Sequence, residues 1–97
     1  MPKIEIKKST REGKKLMAIL TYDDNTKKTV HFGAEGYDDY TTSKDKDQRS
    51  RYLLRHKKNE NWNVPDTPAS LSRWILWGAT TSRKENIRLF KKRFNLK

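Results

Sequence analysis

Apolar and polar residues alternate along the first third of the chain, and apolar residues recur at helical spacing along the second half. In "KIEIKK", Ile4 and Ile6 alternate with charge, the period-two pattern of a short strand. "REG" at 11–13 reads as a turn. "KKLMAILTY" at 14–22 sets Leu16, Ala18, Leu20 and Tyr22 on one face and Met17 and Ile19 on the other. That apolar density predicts a central strand buried largely on both faces. "DDNT" at 23–26 has turn chemistry, because Asp and Asn tolerate tight and left-handed backbone. "KKTVHFG" at 27–33 returns with Val30 and Phe32 on one face and Thr29, His31 and Gly33 on the other. Residues 3–33 therefore predict a three-stranded antiparallel meander, which needs cover on one face to be stable.

The period then changes. Asp45 reads as a helix N-cap with Gln48 in capping-box position, predicting a helix over 46–58. Its inner face would carry Tyr52, Leu53 and His56, with Leu54 at the edge. A loop over 59–68 contains two prolines, and Thr67 caps a second helix with Pro68 at its first position, where a missing N–H costs nothing. That helix carries Leu71, Trp74, Ile75 and Trp77, and Gly78 reads as its stop. Ser82 and Glu85 make a further capping box. Ile87, Phe90 and Phe94 then form one inward stripe, with Leu89 off it. The pattern predicts an α+β fold: an N-terminal three-stranded antiparallel β-meander followed by three α-helices. The first and last helices would pack on the sheet, with Trp74 near their meeting point. At 97 residues this is one domain. Residues 1–33 form the meander, 34–45 a connecting loop, and 46–97 a basic helical part.

Composition adds a constraint. Only 32% of residues are hydrophobic and 36% are charged, near the border of disorder, so the three Trp, four Tyr and three Phe must close the core. A stability of about 3–5 kcal/mol is expected for so small a chain without staples. Cysteine is absent, which excludes disulfides, thiolate metal sites and cysteine nucleophiles. No apolar run reaches the length of a membrane span, and "MPKIEIKKST" lacks the character of a secretory signal. The expectation is a protein kept inside a cell, or inside a particle assembled there.

Charge changes the picture most. The formal net charge is +11. Residues 1–44 hold nine Lys/Arg against seven Asp/Glu, whereas residues 45–97 hold fourteen against five. Such a surplus favours a polyanion, an anionic membrane face or an acidic protein surface as partner. The candidate contact residues are Arg49, Arg51, Arg55, Lys57 and Lys58 on the first helix and Arg83, Lys84, Arg88, Lys91 and Lys92 on the last. Trp62 and Trp77 are candidate exposed anchors, and Trp74 is assigned to the core.

Catalytic chemistry finds little support. Two histidines, His31 and His56, are few for a metal site and are expected to be packed and hydrogen-bonded. No nucleophile elbow, metal-binding histidine pair or phosphate loop occurs. Asp23, Asp24, Glu35, Asp38 and Asp39 could gather into a magnesium-type cluster, as in a small nuclease, but without recognisable ligand spacing. No catalytic residue, metal ligand, cofactor or small-molecule substrate is expected. "HFGAEGYDDYTTSKD" at 31–45 is read as a joint. Gly33 and Gly36 bend it, Tyr37 and Tyr40 anchor it, and Asp38 and Asp39 pair with Arg49 or Arg51.

Residues 28–97 resemble a group of short basic proteins encoded by large DNA viruses. The resemblance is carried by Phe32, Gly33, Gly36, Tyr37, Asp39, Tyr40 and Thr41, then Lys44 and Asp45, then Arg51, Tyr52, Arg55 and His56, then Asn61 and Trp62, and Trp74, Leu76 and Trp77. Where that group often has Pro after Lys-Asp, this chain has Lys46. The resemblance implies a viral setting. It implies a non-enzymatic, virion-associated structural protein of minor-capsid or internal-cement type, located in the virion and in host cytoplasm or nucleus during assembly. Its partners would be acidic surfaces of capsid or other virion proteins, an anionic inner-membrane face, or packaged genome. The alternative expectation is a soluble, sequence-independent DNA- or RNA-binding protein.

Overall fold

The computed structural model describes Met1–Lys97. Strands β1 (Lys3–Lys8), β2 (Lys14–Thr21) and β3 (Lys27–Ala34) pair antiparallel in the order β1-β2-β3. Helices follow, so the fold is α+β. Register sets Ile4 opposite Leu20, Ile6 opposite Ala18, Val30 opposite Ala18, and Phe32 opposite Leu16. Directly opposed residues share a face, so this register gathers one apolar set on one side. There Ile4, Ala18, Leu20, Val30 and Phe32 are buried. On the other side Met17 and Ile19 are only half-buried. β2 is central but covered on one face, not both. The reason lies across the strands: Met17 is flanked by Lys7 and His31, and Ile19 by Glu5 and Thr29, which keep that side wet.

Gly33 closes β3 with φ +81, and a Cβ there would lie 2.7 Å from Leu76 Cδ1. Glycine thus permits both the left-handed backbone and the close approach of a later helix. The joint contains a one-turn helix, α1 (Tyr40–Ser43), capped by Asp39 with Thr42 completing the reciprocal box. Threonine in place of the usual Glu or Gln hid that signal. Lys44 ends α1 in left-handed conformation, and Asp45 then caps α2 (Lys46–Lys57) through the amides of Asp47 and Gln48. The Gln48 side chain instead meets Ser43 Oγ at 2.6 Å, so the second half of the expected box is not formed.

Helix α3 (Pro68–Leu71) is capped by Thr67 and runs into a π turn over Ser72–Leu76. The Trp77 N–H donates to Ser72 O at 3.0 Å, five residues back. One extra residue per turn rotates everything after it. Ile75, Leu76 and Trp77 are therefore buried, while Trp74 is half-buried. Trp77, expected as an exposed anchor, is thus buried, while Trp74 packs against the core as expected. Gly78 stops the helix by packing rather than by left-handed backbone, since a Cβ would meet Trp74 O at 2.3 Å. Helix α4 (Arg83–Phe94) is capped by Ser82 and buries Phe90, with Ile87 and Phe94 packed against the core. Asn86 is also buried; its amide donates to Ile75 O and Thr80 O, tying α4 to the preceding loop. Lys97 exchanges backbone hydrogen bonds with Pro2 and Ile4 beside β1. The core cover is thus α3 with its π turn, plus α4. Helix α2 buries no residue and lies outside, held mainly by Tyr52, which stacks on Trp77.

Candidate functional site

Asp39 is the most enclosed charge in the molecule, with its side chain 2% exposed. One carboxylate oxygen caps α1 through the Thr41 amide at 2.8 Å and also accepts from the Thr41 hydroxyl. The other meets Lys15 Nζ at 2.6 Å and Arg83 Nη2 at 3.3 Å. Burial pushes the Asp39 pKa up, but hydrogen bonds from Lys15 and Thr41 and the Lys15 charge outweigh it, holding the carboxyl below its usual range. The expected partners Arg49 and Arg51 are not the ones used: Arg49 donates to the Trp77 and Gly78 carbonyls, and Arg51 is exposed. Asp38 accepts from the Thr42 hydroxyl. Tyr40 is buried as an anchor, whereas Tyr37 is 74% exposed and anchors nothing.

A cleft of about 460 Å³ opens between the end of the sheet, the joint, α2 and α3. Lys14, Tyr37, Tyr52, Arg55, His56 and Trp77 are among its walls. Tyr52 lies between two rings there: Trp77 at 4.2 Å and 8°, and His56 at 4.0 Å and 23°. Burial pushes the Tyr52 phenol above its usual range, and the Glu60 charge acts the same way. His56 Nδ1 meets Glu60 at 2.7 Å, and His31 Nδ1 meets Ser9 Oγ at 2.7 Å. Asp23 pairs with the N-terminal amine, and Asp24 closes its own turn on Thr26, while Asp39 is clamped far from both. No three His, Asp or Glu side chains converge as metal ligands.

The basic residues divide into those the fold consumes and those it leaves out. Arg49 is half-buried and donates through Nε to Gly78 O at 2.8 Å and Trp77 O at 3.2 Å. Arg83 donates through Nε to Thr41 Oγ1 at 2.9 Å besides reaching Asp39. Trp77 is 8% exposed. These three serve the interior, which corrects their expected place on the contact surface. Trp62 is half-buried, with Nε1 donating to Glu60 at 2.9 Å. Arg88 pairs with Glu85 on the surface of α4. Arg51, Arg55, Lys57 and Lys58 on α2 and its C-terminal end are exposed, as are Lys84 and Lys92 on α4, and Lys91 is partly so. Two arginines outside the candidate contact set are also engaged. Arg73 donates through Nη1 to Trp77 O at 3.0 Å, and the Arg93 guanidinium lies 3.6 Å from the Trp74 ring centre. The available signal was Arg73 itself, a lone cation inside the apolar run "LSRWILW".

Residues 4–56, which span the sheet, the joint and most of α2, match a family of unknown function, DUF5754. The chain is also similar to the uncharacterized protein L851 of Acanthamoeba polyphaga mimivirus. The two are 32% identical over 83 residues, covering 79% of this chain and 83% of the relative. No solved structure matches.

Proposed function

The chain belongs to the family of unknown function DUF5754, and we propose that it is a non-enzymatic structural protein of a virus particle, of minor-capsid or internal-cement type. Its basic surface docks on acidic faces of other virion proteins. The viral setting is supported by the mimivirus relative. The docking is supported by one observation above others. Of the 23 Lys and Arg, only Lys7, Lys15, Lys28, Arg83 and Arg88 reach a carboxylate, and the other eighteen have none within ion-pair distance. A fold that leaves so much charge uncompensated repels itself and gains free energy when an anionic surface approaches. Each exposed cation adds only a fraction of a kcal/mol, about 0.2–1. Several on the outer sides of α2 and α4 acting together give useful affinity.

Quantitative mass spectrometry of gradient-purified particles tests this reading. The expected result is this chain at fixed ratio to the major capsid component, released as salt is raised. Its absence from particles, while abundant in infected cells, would end the proposal. A second reading, sequence-independent binding of DNA or RNA, draws on the same uncompensated cations. It predicts that affinity for a random-sequence duplex falls linearly on a log–log plot against salt.

A further inference from the structure

Two guanidinium groups meet beside the π turn and a third flanks the same indole as one of them, with no carboxylate paired to any of them. Arg49 Nε and Arg73 Nη1 donate to the same oxygen, that of Trp77, at 3.2 and 3.0 Å. Those nitrogens are therefore no farther apart than two hydrogen bonds laid end to end. Arg93 joins them across an indole: its guanidinium carbon lies 3.6 Å from the Trp74 ring centre, and that of Arg73 lies 4.1 Å from it. What holds the trio is partial charge alone, from the carbonyls that end the π turn and from the faces of Trp62 and Trp74. Burial pulls the Arg73 pKa down to about 10, and repulsion from Arg49 and then Arg93 acts the same way. Arg73 Nε is buried with no hydrogen-bond partner. Alongside lies a cavity of about 380 Å³ walled by Trp74, Ala79, Leu89, Phe90, Lys92 and Arg93. An incoming group thus has space on the Arg93 side, and Lys92 adds a fourth cation there.

We propose that Arg93 and Lys92, at the cavity beside Trp74, form a binding site for a phosphate-type oxyanion, with Arg73 and Arg49 adding positive potential from across the indole. The guanidinium fork matches phosphate oxygens in pairs, which a lysine point charge does not. Arg93 is already held over Trp74 by the fold, so the cost of ordering its side chain on binding is small. A multivalent anion supplies the counter-charge that the protein lacks at this place. The site rests on the second, nucleic-acid reading above, whose anion is phosphate, a chemistry that phospholipid headgroups also carry.

The test is titration of the full chain with inorganic pyrophosphate at fixed ionic strength, followed by calorimetry and by tryptophan fluorescence. Saturable one-to-one binding is expected. Arg93→Gln, at an exposed position, should keep the fold and weaken binding about tenfold or more, a loss of about 1.4 kcal/mol. Lys58→Gln, at the C-terminal end of α2, should leave it within about twofold. No saturable binding, or Arg93→Gln binding as tightly as the natural chain, overturns the site. Either result does so while salt-sensitive docking through the cations of α2 and α4 persists, so the two readings fail separately. Pyrophosphate displacing an oligothymidylate of about 20 nucleotides supports the site with nucleic acid as the phosphate source. Displacement from phosphatidylglycerol vesicles supports it with lipid as the source.

Discussion

Asp39 and Trp74 each draw basic side chains together, and the two places are built on opposite principles. At Asp39, Lys15 from the sheet and Arg83 from α4 converge on one buried carboxylate that also caps α1. Charge there is neutralised within the molecule, and it fastens sheet, joint and last helix at a single point. At Trp74, Arg73 and Arg93 lie over an indole, with Arg49 sharing a carbonyl beside them. Charge there has no internal counterpart. Buried cations are tolerated when a carboxylate matches them, and otherwise cost free energy until something else does. The contrast teaches that a basic residue's place in the sequence says little about its use. Arg83 and Arg93 lie on the same helix, and one completes a clamp while the other is left open.

The comparison can be broken most forcefully at Asp39. Asp39→Ala strands two cations and removes a cap, for about 3–5 and 1 kcal/mol respectively. Against a total of about 3–5 kcal/mol this leaves the chain largely unfolded, visible as lost far-ultraviolet circular dichroism at 25 °C. Gly33→Ala comes next. Left-handed backbone costs about 1–2 kcal/mol, and contact with Leu76 adds about 1–3, both read from the urea midpoint. A matched pair then sharpens the contrast. Lys15→Met should cost about 2 kcal/mol, because it leaves Asp39 under-paired. Arg73→Met should stay within about 1 kcal/mol, because it removes repulsion along with a hydrogen bond. Equal losses for the two would erase the distinction. The gentlest probe is acid. Asp39 has a folded pKa below its unfolded value, so its contribution is full above the unfolded value of about 3.9. That contribution is lost as pH falls through the depressed folded pKa. The urea midpoint of the natural chain should therefore fall as pH drops through this range.

Much of the fold was legible because it depends on local pattern. Ile4 and Ile6, then Val30 and Phe32, announce strands by period two, and Asp45, Thr67 and Ser82 announce helix starts by capping chemistry. The π turn was not legible, because no residue type marks a five-residue hydrogen bond, and with it came the burial of Trp77. The partners of Asp39 were not legible either. They lie 24 and 44 residues away, whereas the expected Arg49 and Arg51 were chosen for nearness along the chain. The outward cations of α2 and α4 could be read from helical spacing alone. The grouping of Arg49 with Arg73 at one carbonyl, and of Arg73 with Arg93 at one indole, required the fold.

The most direct test of the docking claim reverses charge where the fold does not use it. Lys84, Lys91 and Lys92 on α4 would be changed together to Glu, and incorporation into particles measured by mass spectrometry against the natural chain. Docking through the uncompensated cations predicts an unchanged circular dichroism spectrum with loss of incorporation. Equal incorporation by a folded triple variant would contradict it.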